Sequence, residues 1–395
     1  MQNKLLRTLV NFSESIRTLF LLLFIHALAI TARRKPKGQK RKILIIRLDA
    51  IGDFILWLDA AKEIRSHYPP KNYEITLLGN QAWTSLASEL PYFDTVWALA
   101  RFKYLRNPLY SYNMLKRIYE EGFDIAINVT YSREFQLGDI IVKASGASER
   151  IGSQGDTENI ERWKKNISDR WYTHLIPAQH NPLMELERNA EFIRGLCSSD
   201  FRTHVLQLPV LSSAPDTFHV KDYYVIFPGA GSVARQWPLP NFRALVEKIY
   251  RKTGWIGIVC GGPGEELLGT AILEGTGAPL QNWIGRTSLP QLAAVISGAK
   301  VIIANETSAV HIAAAVSVPA ICILGGGHFG RFMPYRVDDG ANVLLPLPVF
   351  YKMECFGCKW NCIHEPSINK TAPCICAISV DDVWHVLLEL LKINE

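Results

Sequence analysis

The strongest constraint in this chain is a pattern that occurs twice. Short apolar strands alternate with helices, first from Lys42 to Val129 and again from Tyr223 to Gly326. Such alternation builds βαβ units, because neighbouring parallel strands need a long crossover, usually a helix. The first run reads as strand Ile43–Leu48, loop Asp49–Asp53 (DAIGD) and a helix from Phe54 to Ser66. Strand Glu74–Leu78, a short helix over Gln81–Ser88, strand Thr95–Leu99, a helix over Leu109–Glu121 and strand Asp124–Val129 follow. Residues 130–205 carry a helix near Pro182–Gly195, and the polar run Ile151–Ile176 reads as a long loop. Leu208–Asp222, rich in Pro and Ser, reads as a linker.

The second run opens with strand Tyr223–Phe227, a glycine loop and a helix over Pro240–Lys252. That helix is expected to bury Phe242, Leu245, Val246, Ile249 and Tyr250 and to stop at Gly254. Strand Trp255–Cys260, the loop GGPGEE, a helix to Glu274 and strand Asn282–Ile284 come next. A helix capped by Ser288, with Gln291 completing a capping box, leads to strand Lys300–Asn305. ETSAVHIAAAV then opens a helix before strand Ala320–Gly326. The expected fold is α/β, two Rossmann-like parallel-sheet domains facing each other across a cleft, with ligands at the carboxyl ends of the strands. The expected division is residues 1–41 (helix and basic linker), 42–207 and 223–345 (the two Rossmann-like domains, joined by 208–222), and 346–395 (Cys-rich loop and last helix).

Charge is unevenly spread. Residues 1–42 hold ten Lys or Arg and one acid, hence +9, whereas the rest holds 33 basic and 36 acidic residues, hence −3. A mildly acidic body excludes a general nucleic-acid binder. Within the tail, Leu19–Ile30 is a 12-residue apolar run, short of the ~20 residues a membrane-spanning helix needs. Its charge lies on the wrong side for a signal peptide. The preferred reading is an amphipathic helix lying in the headgroup layer, with Ala32–Lys42 as a basic linker near anionic lipid. A helix packed on the protein's own surface and a short span are the alternatives.

Four loops stand where such sheets place their chemistry. In Asp49–Asp53, Gly52 permits close approach, and Asp53 fits either a helix N-cap or a catalytic base. In Pro228–Pro238, Gly229 and Gly231 offer free amides and Arg235 a cation, a set suited to a diphosphate. GAGSVA resembles a dinucleotide fingerprint, but Pro238 and Pro240 forbid a helix opening at the glycines, which disfavours a nicotinamide cofactor. In Gly261–Glu266, Glu265 fits a ribose contact or a first-turn acid. Thr307 and Ser308 sit where a strand runs into a helix, a phosphate-binding arrangement, with His311 one turn on.

RLDAIGDFIL, FPGAGSVARQWP, CGGPGEE, ANETSAVHIAAA and the late Cys cluster, in this order, resemble glycosyltransferase family 9, the ADP-heptose:lipopolysaccharide heptosyltransferases and their relatives. The resemblance implies a GT-B fold with acceptor on the N-terminal domain and nucleotide-sugar donor on the C-terminal one. It implies that Asp53 matches the catalytic aspartate, Arg235 a basic residue (often Lys) on the donor phosphates, and Glu265 a donor-binding glutamate. Thr307, Ser308 and His311 match a diphosphate motif that usually reads Asp-Ser/Thr-Gly followed by His. Glu306 departs from the usual Asp, Ser308 from the usual Gly, and Asp59 stands where the first helix often has Pro. The acceptor residues are not identified by the match.

Cys355, Cys358, Cys362, Cys374 and Cys376 crowd together with His364, a spacing that points to structural zinc or, as the plainer alternative, reduced thiols in a surface loop. The expected activity is inverting transfer from a nucleotide-diphosphate sugar to a lipid-linked saccharide, with no obligatory catalytic metal, at the cytoplasmic face of the inner membrane. A catalytically silent saccharide- or lipid-binding protein is the rival reading.

Overall fold

The computed structural model describes residues 2–36, 38–205, 207–209, 212–337, 344–364 and 370–392, with side chains from Ile16 onward except Ala29. The side chains of Leu5, Leu6, Leu9, Val10 and Phe12, and residue Lys37, therefore lie outside the described residues. The chain packs as two units. One comprises Met1–Ala50, Ala60–Asn181 and Arg188–Arg202, the other Ile51–Asp59, Pro182–Glu187 and Thr203–Glu395.

The first unit holds strands β1 (Arg41–Arg47), β2 (Tyr73–Asn80), β3 (Thr95–Leu99), β4 (Ile125–Asn128), β5 (Glu149–Ser153) and β6 (His174–Ile176). Their order is β3-β2-β1-β4-β5-β6, every pair parallel. Ile43 on β1 is in register with Ile75 on one side and Ile125 on the other. Residues Ile43–Ile46 are buried on both faces, as central parallel strands require, which explains their unbroken apolar run. The helix Pro108–Glu121 is set by Asn107, whose side chain accepts the Tyr110 N–H, and ended by Gly122 in the left-handed region at φ 76°. The stretch expected to be a long loop holds the end of β5, a helix Arg162–Ser168 and β6. These elements are short and border the sheet's edge, where polar residues are tolerated, so no apolar run announces them.

The N-terminal helix, Gln2–Thr31, packs on this unit. Leu21 and Leu28 are buried in its core, and Phe24 meets Tyr112 edge-on at 5.4 Å. The opposite face leaves Ile16, Leu19, Phe20, Leu23 and Ile30 exposed. Packing on the protein's own surface, the alternative to a helix lying wholly in lipid, is thus what one face does. No helix among the described residues is long and apolar enough to cross a membrane. The linker after it is held by the protein too: Arg34 donates to Phe123 O at 2.9 Å, Lys35 and Lys42 pair with Glu121, and Arg41 with Glu149.

The second unit holds β7 (Tyr223–Phe227), β8 (Ile256–Val259), β9 (Leu280–Asn282), β10 (Ile302–Asn305), β11 (Ala320–Ile323) and β12 (Leu347–Val349), in the order β12-β11-β10-β7-β8-β9, again all parallel. Counted from its own first strand, this is the order of the first sheet. β12 escaped the sequence reading because it is three residues long and contains Pro348. The helix Leu239–Thr253 buries Phe242, Leu245, Val246 and Ile249. Tyr250, expected among them, is 41% exposed, because it lies past the edge of the apolar stripe. Ser288 and Gln291 form the expected capping box.

Candidate active site

In each sheet the strand order reverses at the centre, between β1 and β4 and between β7 and β10. Loops leaving the carboxyl ends there are the expected ligand-binding places. In the second unit those loops are Pro228–Pro238 after β7 and Glu306–Thr307 after β10.

Asn305 at the end of β10 fixes the first loop. Its buried Nδ2 donates to Pro228 O at 2.8 Å and Gly229 O at 3.2 Å, while its Oδ1 accepts the Trp237 N–H at 3.0 Å. This brings Arg235, on a single 3₁₀ turn, over the next loop. Arg235 Nη2 donates to Glu306 O at 2.9 Å and lies 3.4 Å from Glu306 Oε2, and the guanidinium sits 5.2 Å from the ring centre of Trp360. Sequence reasoning assigned no role to Asn305 or Trp360; an Asn closing a central strand is the signal that could have found the first.

Glu306 is buried, and burial pushes its carboxyl up to about 7 against the pull of Arg235. The N–H groups that open the helix Ser308–Ala315 follow directly. Thr307 takes the N-cap position without a capping hydrogen bond, and its buried Oγ1, like Arg235 Nε, has no hydrogen-bond partner. Around β8, Glu265 Oε2 accepts the Gly262 N–H at 2.8 Å. A Cβ at Gly229 would stand 2.2 Å from Glu265 Oε1, so the two loops meet only because residue 229 has no side chain. Gly231 is exposed beside Arg235, with a Cβ there reaching 3.7 Å from Nη1.

His311 is buried, and burial lowers its pKa to about 4, so the ring is neutral at physiological pH. Its Nδ1 lies 2.7 Å from Tyr335 Oη, and the two rings stack. The other partner is the Asp49–Asp53 loop: a Cβ at Gly52 would stand 3.1 Å from His311 Cδ2 and 3.9 Å from Ser308 Cα. Asp53 follows in the first turn of the helix Ile51–His67, half-buried. The N-cap of that helix is Ala50, which corrects the cap reading of Asp53. Residues Ile51–Asp59 belong to the second unit, with Leu56 packed among Met184, Leu186, Val205 and Ala314. Asp59 accepts the His204 N–H at 2.9 Å, a bond proline could not make.

The five clustered cysteines are free thiols. Cys374 is buried and Cys376 exposed, two residues apart on the short helix Pro373–Cys376, so their thiols point to different sides. Among the described residues no group of three or more His, Cys, Asp or Glu is placed to hold a metal ion. The zinc site expected from spacing at Cys355, Cys358, Cys362, Cys374 and Cys376 is therefore not assembled there; residues 365–369, between Cys362 and Cys374, lie outside the described residues.

Two parallel sheets of this order, with a phosphate-type loop set on the second, define a GT-B-type glycosyltransferase fold, and three comparisons agree. The profile of glycosyltransferase family 9 (heptosyltransferase) matches residues 112–356. Lipopolysaccharide heptosyltransferase 3 of Escherichia coli K12 is 24% identical over 288 residues, 69% of this chain and 79% of that one. The solved ADP-heptose lipopolysaccharide heptosyltransferase II of E. coli superposes with a TM-score of 0.65 at 18% identity, covering 89% of this chain and 98% of the other. A family 9 glycosyltransferase from Veillonella parvula gives 0.66 at 16%, covering 91% and 99%. The chain belongs to glycosyltransferase family 9, and it is an enzyme of the glycosyl-transfer class. The profile match begins after Asp53, so the part assigned to that residue rests on geometry and on the motif around it.

Proposed function

We propose that the protein transfers a heptose or related sugar from an ADP-linked donor to a lipid-linked saccharide of the lipopolysaccharide type, with inversion at the anomeric carbon. One observation carries the reading: Arg235, the Ser308 helix N-terminus and a buried Thr307 hydroxyl without a partner converge beside the Gly52–Asp53 turn. A diphosphate supplies what those donors lack. The names of the relatives, ADP-heptose among them, support the donor and the acceptor class.

In this reading Asp53 takes the proton of the attacking hydroxyl as general base. The glycosidic oxygen leaves with the diphosphate, and Arg235, the amides of Gly229 and Gly231 and the helix N-terminus stabilise the charge that gathers on it. Burial, which raises Glu306 to about 7, keeps it partly protonated near neutral pH and leaves more of the Arg235 charge available, and Glu265 takes the donor's ribose. Neutral His311 orders the turn by packing on Gly52. The exposed face of the N-terminal helix (Leu19, Phe20, Leu23, Ile30) rests on an anionic membrane surface at the cytoplasmic side, where the acceptor lies.

Thermal stabilisation by ADP-, GDP- and UDP-sugars, followed by transfer to purified lipopolysaccharide, tests the proposal. Stabilisation by ADP-heptose together with release of ADP on adding acceptor is expected. Tight NADH binding with no nucleotide-sugar response would overturn it.

A further inference from the structure

The clustered cysteines sit on two stretches, residues 353–364 and 370–376, that the proposed reaction leaves without a role. Neither stretch hangs free of the fold. The Gly357 N–H donates to Gly326 O at 2.8 Å and the Lys359 N–H to Gly327 O at 2.9 Å. Further on, the Thr371 hydroxyl donates to Gln236 O and the Ala372 N–H to Ala234 O, both at 2.9 Å. The first stretch is thus tied to the loop that leaves β11, and the second to the loop that carries Arg235. The family profile ends at residue 356, so Trp360 lies outside the part matched to the family.

What these bonds deliver is the indole of Trp360. Its ring lies on the glycine run after β11. A Cβ at Gly325 would stand 2.5 Å from its Cη2, and one at Gly327 would stand 2.5 Å from its Nε1. A Cβ at Gly326 would collide with Phe356 in the same way, so only glycines let the two rings come this close. The guanidinium carbon of Arg235 lies 5.2 Å from the centre of the indole, within the ~6 Å of a cation–π contact. The seat is costly. Lys359 and Trp360 both take the left-handed backbone region, at φ 51° and 64°, which bulky side chains disfavour. The indole N–H is buried without a hydrogen-bond partner. Costs of this kind persist only where the surroundings enforce them, and they gather at ligand sites.

Arg235 stands on a single 3₁₀ turn, and its long side chain has a second place to go. Glu306 Oε2 lies 3.4 Å away, and an arginine collapsed onto that carboxylate would face the protein rather than a ligand. An indole against the guanidinium face limits the collapse. It leaves the in-plane N–H groups, Nε among them without a partner, for a diphosphate. A side chain ordered in advance also has less freedom to lose when the ligand binds. We infer that Trp360 is a positioning residue of the donor site, holding Arg235 in the orientation that takes the diphosphate. The cysteine-bearing stretches are the mount that delivers it. The inference rests on the nucleotide-sugar reading above and deepens its donor side.

The test is calorimetric titration of the full chain with ADP. Trp360→Leu is expected to weaken ADP binding about tenfold, and Trp360→Phe, which keeps an aromatic face, to stay within about threefold of wild type. In an Arg235→Ala background Trp360→Leu should change the affinity by less than about twofold, because the ring acts through the guanidinium. A purely structural part would weaken binding equally in both backgrounds. If Trp360→Leu fails to fold, Gly327→Ala replaces it: the added methyl pushes the ring off its seat and should lower affinity in the same Arg235-dependent way. Wild-type ADP affinity in folded Trp360→Leu, no rescue by Phe, or a loss undiminished without Arg235 overturns the inference and leaves the donor reading standing. A wild type that binds no ADP overturns the donor reading, and the inference falls with it.

Discussion

Glu306→Gln should alter how the protein responds to pH more than how it is built. Burial raises the Glu306 carboxyl from its ordinary 4.5 to about 7. Ionising it in the folded chain therefore costs about 3 kcal/mol more than in the unfolded chain. Between those two values the folded state holds the proton more firmly, so the stability due to this group is complete below about 4.5. It declines as pH rises and is gone above about 7. Glutamine matches the protonated acid in shape and cannot ionise. Urea unfolding of both proteins at pH 5 and pH 8 measures the effect, because every other titrating group cancels in the difference. The variant should exceed the wild type by less than about 1 kcal/mol at pH 5 and by about 3 kcal/mol at pH 8. A difference of the same size at both pH values would refute the argument, since it would mean that Arg235 keeps Glu306 ionised throughout. Donor binding carries the same signature. With Glu306 neutral, the Arg235 charge is free for a diphosphate, so wild-type affinity should weaken as pH rises through 7 and that of the variant should not.

Arg235→Ala should weaken donor binding about tenfold or more by calorimetry, and Arg235→Lys should keep the charge but lose the planar fork and the stacking on Trp360. Replacing Leu19, Phe20 and Leu23 together with Gln should lower binding to anionic vesicles with little change in melting temperature, since all three are exposed. Leu21→Ala, by contrast, should destabilise the first unit by about 2–5 kcal/mol in denaturant titration, because that side chain is buried in the core.

What the sequence disclosed follows from where each residue is buried. The central strands announced themselves because both faces of a parallel sheet are covered: Ile43–Ile46 and Ile302–Ala304 have no polar side to show. Their loops could then be placed, and with them Asp53, Arg235, Glu265 and Thr307–Ser308. The edge strands β6 and β12 were silent, each only three residues long, the first opening on His174 and the second holding Pro348. The N-terminal helix was half legible. Its apolar character was evident, but a one-dimensional pattern could not tell that Leu21 and Leu28 face the protein while Leu23 faces out. Contacts between distant segments were invisible for the same reason, as with Trp360 over Arg235, Tyr335 against His311, and Arg101 bridging Leu48 to Glu134. The cysteines show the limit of spacing alone: among the described residues no group of three or more His, Cys, Asp or Glu is placed to hold a metal ion, although Cys374 lies close enough to Cys355, Cys358 and Cys362 for their charges to interact.

The central claim is that Asp53 is the base, and Asp53→Asn tests it most directly. Ala50 holds the N-cap, so Asp53 does not cap the helix, and its first-turn charge is worth about 0.3–1 kcal/mol to it. The variant should fold with nearly the wild-type melting temperature and bind donor within a few-fold. An amide cannot accept the acceptor's proton, so turnover on the true acceptor should fall about a hundredfold or more. Turnover close to the wild-type rate in a folded, donor-binding Asp53→Asn protein would contradict the account.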